Sequence, residues 1–245
     1  MMNKSLLLIC ILLFPSHSFS DNKLKATEYF ISKGGSVHDD SIDLSTRKSI
    51  VDDDLVMLKE FSTYTTLFLD DTNISDKGCE EIGKLEFLKI LSISNTKITS
   101  EGLKNLRMLV DLEELDISYT LVNDSGMSCL RNCKELRTLK LMNTCVSDEG
   151  MKVLTFLMKL NYLTLNDTKI TDKTLESISK MPHMIKNLES ITLGNTNITD
   201  DGLRHLESLN NLISIMLTGT RVTLEGIKRL QDRFPRCRIY YNNIP

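Results

Sequence analysis

The sequence predicts an α/β solenoid, a right-handed, curved stack of about eight coils with parallel inner strands and short outer helices. Two observations predict it. A similar block of residues recurs every 24 residues, with a single spacing of 28, and within each block the apolar spacing lengthens from two residues to three. A Thr marks the same point of every block: Thr72, Thr96, Thr120, Thr144, Thr168, Thr196 and Thr220.

Each block begins with a predicted strand. Apolar residues alternate with polar ones at period two, as at Leu115 and Ile117 or at Leu163 and Leu165. Alternation of this kind is typical of a short strand that buries one face. We therefore expect the intervening side chains to point outward from the inner, concave face of the solenoid.

A short helix is predicted to follow each strand on the outer side. Leu103, Leu106 and Leu109 are spaced by three residues, which favours a short α-helix or a 3₁₀-helix. A polar turn containing Thr and Asp precedes the helix and offers N-caps. A Gly follows this turn in six of the seven copies, with Thr174 as the exception, and we interpret it as room for the neighbouring coil.

The recurring Thr is predicted to be structural. Where the chain leaves the strand, backbone groups would be buried without partners, at a cost of about 1–3 kcal/mol each. We expect a ladder of Thr hydroxyls to satisfy these groups. The predicted ladder consists of Thr72, Thr96, Thr120, Thr144, Thr168, Thr196 and Thr220.

The repeated block resembles that of bacterial leucine-rich-repeat proteins, whose coil reads LxxLxLxxTxITDxGLxxL. The block from Leu88 to Leu106 shows the pattern, and the resemblance extends from Thr65 to about Leu230. It also resembles the repeats behind F-boxes in eukaryotic ubiquitin-ligase receptors, although a short degenerate segment stands where the F-box would be. The resemblance implies the leucine-rich-repeat fold and leaves the function open, because this scaffold serves many partners.

The first 20 residues are predicted to be a secretory signal peptide. Lys4 gives a positive start, Ser5 to Phe14 form an apolar run, and small residues lead to predicted cleavage after Ser20. The run is too short to cross a bilayer core of about 30 Å, and no later stretch is long enough. We therefore expect an exported protein, periplasmic or secreted, with no membrane association after cleavage.

The remainder divides into three predicted regions. Residues 21–63 form an N-terminal cap, with a covering helix from Leu24 to Ile31, and a degenerate first repeat. Residues 64–232 hold seven repeats, and the longest contains a predicted loop near Lys180 to Asn187. Residues 233–245 form a C-terminal cap strand.

Composition and spacing argue against several functions. The formal charge of −3 comes without a basic stripe, which argues against nucleic-acid binding. The acidic runs at Asp39–Asp40 and Asp52–Asp54 suit calcium or a helix start, and we favour the helix start, with no metal and no cofactor.

Cysteine and histidine positions predict no catalysis. The five cysteines after residue 20 are irregularly spaced and predict no disulfide framework, and no Ser-His-Asp order appears. By register, Cys79 and Cys133 should be buried, whereas Cys129 and Cys145 should be exposed. The chain is predicted not to be an enzyme.

A partner-binding site is predicted on the concave face. Tyr119, Met142 and Tyr162 are the expected anchors, because aromatic side chains dominate the centres of protein interfaces. Glu114, Asp116 and Lys140 are expected to set the charge preference. The predicted site residues are Phe68, Ile90, Glu114, Asp116, Tyr119, Lys140, Met142, Tyr162 and Asn166.

These observations favour an exported, monomeric module that binds a protein of unknown identity. A first alternative is a secreted effector that acts on the ubiquitin-ligase or signalling machinery of a host cell. A second is a hydrolase whose site lies in the N-terminal segment or in residues 180–187.

Overall fold

The computed structural model describes residues 21–241 and confirms the predicted α/β solenoid. The signal-peptide prediction, for residues 1–20, lies outside the described residues, as do residues 242–245. A single sheet follows the chain order. Its strands are β1 (Ser36–Val37), β2 (Ser41–Asp43), β3 (Thr66–Phe68), β4 (Ile90–Ser92), β5 (Glu114–Asp116), β6 (Thr138–Lys140), β7 (Tyr162–Thr164), β8 (Ser190–Thr192), β9 (Ser214–Met216) and β10 (Arg238–Tyr240).

From β2 to β10 the strands are parallel and in register. The middle residues Leu67, Leu91, Leu115 and Leu139 stand side by side and are buried. Each strand from β2 to β9 thus buries its middle side chain, and its first and third residues occupy the outward positions. The one antiparallel pair joins β1 to β2, because the three-residue connection between them is too short for a parallel crossover.

Short helices return the chain to the next strand. The α-helices are α1 (Asp21–Ser32), α2 (Gly78–Ile82), α3 (Ser100–Leu103), α4 (Asp124–Met127), α5 (Asp172–Ser179), α6 (Pro182–Asn187), α7 (Asp200–Leu206) and α8 (Leu224–Arg233). The 3₁₀-helices are η1 (Asp52–Phe61), η2 (Lys104–Met108), η3 (Ser128–Asn132) and η4 (Gly150–Phe156). Among residues 21–241, none of these helices combines the length and the apolar character that a membrane span requires.

The core is one continuous cluster that runs through all the coils. At the N-terminal end α1 covers it, with Ala26 and Phe30 fully buried and the Phe30 ring 5.9 Å from that of Phe61. At the other end α8 buries Ile227 and Leu230. No single coil encloses its own leucines, so the burial that stabilises each coil depends on its neighbours.

The recurring Thr hydroxyls bind the backbone of their own coil. Each donates a hydrogen bond to the carbonyl three residues earlier, over distances of 2.5–2.8 Å; for Thr120 the acceptor is Ile117. Six of the seven side chains are buried, and Thr220 is partly exposed. These bonds supply a partner to a carbonyl at the point where the strand turns into the polar segment.

Adjacent coils are joined by a second ladder, which is built of carboxylates. The two oxygens of Asp76 accept the amide and the hydroxyl of Thr99 in the next coil, each at 2.7 Å. Thr99 in turn caps helix α3. The same bridge links Asp52 to Ser75, Asp124 to Ser147, Asp148 to Thr171, Asp172 to Thr199 and Asp200 to Thr223.

This ladder explains why Gly recurs at one position of the repeat. A Cβ at Gly102 would collide with the carboxylate of Asp76, and one at Gly202 would collide with that of Asp172. The room predicted for the neighbouring coil is thus room for its aspartate. At Thr174, the exception, the hydroxyl donates to Asp148 Oδ1 at 2.6 Å and turns the contact into a hydrogen bond.

Two expectations are wrong. The insertion near Lys180 to Asn187 is a helix, α6, rather than a loop, and Pro182 starts it at a position where the missing amide has no helical partner. Cys129 is packed against the core rather than exposed. Cys145 is partly exposed.

Removing one carboxylate of the ladder should weaken the fold in a pH-dependent way. Burial acts to raise the pKa of Asp148, but hydrogen bonds from Thr174 and Thr171 outweigh it and hold this pKa below its ordinary value. The bonds therefore contribute stability above the unfolded-state pKa of about 3.9, and this contribution is lost as the pH falls through the lower folded-state pKa. Asp148→Ala should lower the free energy of unfolding by about 1–3 kcal/mol at neutral pH.

Urea unfolding followed by circular dichroism measures the loss in the free energy of unfolding and its dependence on pH. It is carried out at pH 7 and below pH 4, which is about the unfolded-state pKa of the carboxyl group. The control is Asp201→Ala, whose exposed side chain pairs only with Arg204 and should shift stability by less than about 0.5 kcal/mol. A deficit in Asp148→Ala that is the same at both pH values would contradict the role of the ionised carboxylate.

Candidate interaction site on the sheet face

The sheet face consists of the outward side chains of β2 to β10 and of the turn that follows each strand. In β5 the pattern is complete, with Leu115 buried and Glu114 and Asp116 partly exposed on either side of it. The register sets Glu114 beside Thr138 and Asp116 beside Lys140. The predicted site residues of β5 and β6 are therefore neighbours in space.

A charged cluster lies at the centre of this face. Lys140 Nζ lies 2.6 Å from Glu114 Oε1 and 3.8 Å from Asp116 Oδ2. Partial burial acts to lower the pKa of Lys140, but its bond to Glu114 and the charges of Glu114 and Asp116 raise it overall. Lys140 therefore remains an ammonium ion at neutral pH, which suits it to ion pairing rather than to proton transfer.

Two tyrosine rings flank the cluster. Tyr119 is 48% exposed and its hydroxyl donates to Met142 Sδ at 2.9 Å. Tyr162 is 44% exposed and its hydroxyl donates to Glu189 Oε2 at 2.8 Å, a bond that raises the pKa of Tyr162. Both hydroxyls are held by the protein while the rings face solvent, so each ring offers an oriented apolar surface.

Tyr119 occupies an unusual backbone position. The residue before each structural Thr has a positive φ, and at Tyr119 the value is 56°. Left-handed backbone costs about 1–2 kcal/mol for most L-residues and is tolerated best by Gly, Asn and Asp. Six other coils place Asp71, Asn95, Asn143, Asp167, Asn195 and Gly219 there, and the first coil places Thr46. A bulky aromatic residue in this conformation is a genuine outlier, and such outliers cluster at functional sites.

A shallow groove extends the site toward the N-terminus. Its lining includes Ile90 and Glu114 together with four charged residues that sequence reasoning missed: Asp40, Lys89, Glu113 and Arg137. All four directly precede a strand, where strict alternation assigns them to the core side. Lys89 and Arg137 both pair with Glu113, at 3.3 and 3.8 Å.

The other predicted residues differ in accessibility. Phe68 and Ile90 are partly exposed in β3 and β4, at the N-terminal side of the cluster. Asn166, in contrast, is only 7% exposed, which corrects its placement on the accessible face. Its amide oxygen accepts a hydrogen bond from the Gly194 amide at 2.6 Å, so the side chain bridges two coils.

The described residues show no metal centre and no activated thiol. No three His, Cys, Asp or Glu side chains within residues 21–241 are grouped so that they could hold a metal ion. Burial raises the pKa of the Cys129 thiol to about 12 and that of the Cys133 thiol to about 11. Thiols of this kind are poor nucleophiles at neutral pH.

Replacing Tyr119 with the residue that other coils use should stabilise the protein. Tyr119→Asn relieves most of the cost of the left-handed backbone, and we expect a gain of about 1 kcal/mol in the free energy of unfolding. Urea unfolding measures the gain. The reciprocal variant Asn143→Tyr, at the same position of the next coil, should lose stability. A Tyr119→Asn protein that is less stable than the parent would contradict strain at this residue.

Comparison with known proteins agrees with the repeat and the sheet. The family described as Leucine Rich repeat matches residues 84–106 and 132–154. The search of curated proteins finds no match. Among solved structures, an internalin C2 from Listeria monocytogenes str. 4b F2365 superposes with a TM-score of 0.67 at 16% identity, and the match covers 95% of this chain and 96% of that one. Together these observations show the leucine-rich-repeat fold for this chain, and the family model matches two of its repeats.

Proposed function

We propose that this protein is exported and binds a protein partner through the middle of the sheet face, between β5 and β7. The observation that carries the proposal is Tyr119, whose ring is exposed beside Met142 at a left-handed backbone position that six other coils fill with Asn, Asp or Gly and the first coil fills with Thr46. The Tyr119 hydroxyl bonds to Met142 in the next coil, but about half of the side chain stays exposed and available to a partner.

The composition of this surface suits a protein ligand. Tyr119 and Tyr162 are rigid amphipathic side chains of the kind that dominate interface energetics, and Met142 lies beside one of them as an adaptable apolar contact. The Glu114–Lys140 pair joins the coil that carries Tyr119 to the next coil, and it adds electrostatic selectivity.

Export rests on the predicted signal peptide of residues 1–20, which would deliver the protein to the periplasm or the exterior. The host-cell effector stays an alternative that localisation tests. The hydrolase alternative gains no support from the insertion, because His183 Nε2 in α6 is hydrogen-bonded to the Leu154 carbonyl at 2.9 Å. A monomeric state remains our expectation.

The double variant Tyr119→Ala/Tyr162→Ala should lose the partner. We expect cross-linking and co-purification of the tagged protein from its native cell to recover at least about tenfold less partner with this variant, because losing two interface anchors costs more than 1.4 kcal/mol. Phe87→Ala, which removes a ring that is 57% exposed outside the sheet face, is the matched control. A partner held equally by the parent and the double variant would exclude the central sheet face.

Export predicts a shortened mature chain. N-terminal sequencing of protein recovered outside the cytoplasm should start near Asp21, after loss of the apolar run. Leu7→Arg/Leu8→Arg, which breaks that run, should leave full-length protein inside the cell. An exported protein that still carries Met1 would contradict cleavage, and a parent chain confined to the cytoplasm would contradict export.

A further inference from the structure

One edge of the sheet face is formed by a row of equivalent residues, which we call the rim. Each rim residue follows a structural Thr, and in six of the seven the amide donates to a carbonyl of the preceding coil, as Leu121 donates to Ile98 at 3.1 Å and Lys169 to Val146 at 2.9 Å. The backbone of the rim is therefore regular and only its side chains vary. The rim consists of Asn73, Lys97, Leu121, Cys145, Lys169, Asn197 and Arg221.

The rim is polar except at its middle. Leu121 is 64% exposed, more than any other large apolar side chain in the described part of the chain. The next rim residue, Cys145, is partly exposed. Leu121 follows Tyr119 by two residues, so the exposed apolar surface of the sheet face continues over the rim in the coil of β5. Exposed apolar surface of this kind, bordered by polar side chains, marks interaction sites.

Two cations border this apolar segment. Lys97 precedes Leu121 on the rim and Lys169 follows Cys145, and both side chains are exposed. Within residues 21–241 neither has a carboxylate within 4.0 Å, whereas the sheet-face cations Lys89, Arg137 and Lys140 are all ion-paired. The charges of the rim are thus available to a ligand.

We infer that the rim receives an extended segment of the protein partner that carries an apolar side chain between two carboxylates. Lys97 and Lys169 are three coils apart, about 14 Å at roughly 4.8 Å per coil. An extended chain advances about 3.3 Å per residue, so the carboxylates stand about four residues apart. The recognised pattern is Asp-x-Leu-x-Asp, with the central Leu between Leu121 and Cys145 and in reach of the Leu121 side chain. This inference rests on the proposed function and specifies its ligand.

Apolar contact and charge have different roles in this site. Burial of the Leu121 side chain against a ligand supplies affinity, since apolar burial contributes about 25 cal/mol per Å². The exposed lysines contribute little affinity and select acidic over basic segments. Binding should therefore depend on Leu121 at every salt concentration and on the lysines mainly at low salt.

Methyl NMR of the whole protein tests the inference. The probe is the acetylated, amidated peptide Gly-Asp-Ser-Leu-Ser-Asp-Gly, and its matched control carries Lys in place of both Asp residues. Leu121→Lys, which copies the rim residues Lys97 and Lys169, assigns the Leu121 methyl resonances and removes the apolar contact. The acidic peptide should shift the Leu121 and Met142 methyls at low salt, and the basic peptide should bind at least about fivefold more weakly. This ratio corresponds to about 1 kcal/mol.

Charge reversal provides the second arm. Lys97→Glu/Lys169→Glu should abolish the preference for the acidic peptide, whereas Arg221→Glu, an exposed rim cation farther along the row, should leave the preference unchanged. No shift at Leu121 with the acidic peptide, or equal shifts with both peptides, would overturn the rim site.

A cellular partner that is lost by Tyr119→Ala/Tyr162→Ala but kept by Leu121→Lys would also overturn the rim site and leave the proposed function standing. A partner kept by both variants would remove the proposed function itself.

Discussion

The hydrogen bonds between successive coils control the geometry of this protein. In six coils, where the strand turns into a helix, an aspartate such as Asp76 accepts the amide and the hydroxyl of a Ser or Thr in the following coil. Those groups have no helical partner of their own, because the first amides of any helix lack one. The side chain of one coil thus accepts hydrogen bonds from the amide and the hydroxyl of the next coil. These bonds hold the two coils in one register. Since the register is fixed, Glu114, Lys140 and the rings on either side of them keep one arrangement.

The repeat could be predicted from the sequence because burial restricts which residues each position accepts. A position that must face the core tolerates only apolar residues, so period-two and period-three spacing appear directly in the sequence. The Thr marks a buried carbonyl that needs a donor, and the Gly marks the space that a neighbouring aspartate fills. Sequence reasoning identified the need for room at Gly102 but not its occupant, since the occupant lies in another coil.

Details that depend on contacts between coils could not be predicted from the sequence. Asn166 stands at an outward register position, yet its amide turns toward Gly194, where the absence of a side chain leaves space. Lys89 lies on the core side by alternation, but the strand begins only after it. Cys129 aligns with polar residues of other coils and is nevertheless packed against the core. In each case a neighbouring coil, rather than the residue's own block, determines the environment.

Departures from the repeat fall into two groups, and the difference is informative about function. Ser100 replaces the bridging aspartate, but its hydroxyl bonds to Asn123, and Thr174 replaces the glycine, but its hydroxyl bonds to Asp148. These departures are compensated inside the fold. Tyr119 and Leu121 form the second group. Tyr119 bonds to Met142 but leaves its ring 48% exposed at a left-handed backbone position, and Leu121 exposes an aliphatic side chain where most other coils have polar ones. The two lie in the same coil. The binding surface that we propose there accounts for both exposed side chains, because a partner that covers them removes their apolar area from water.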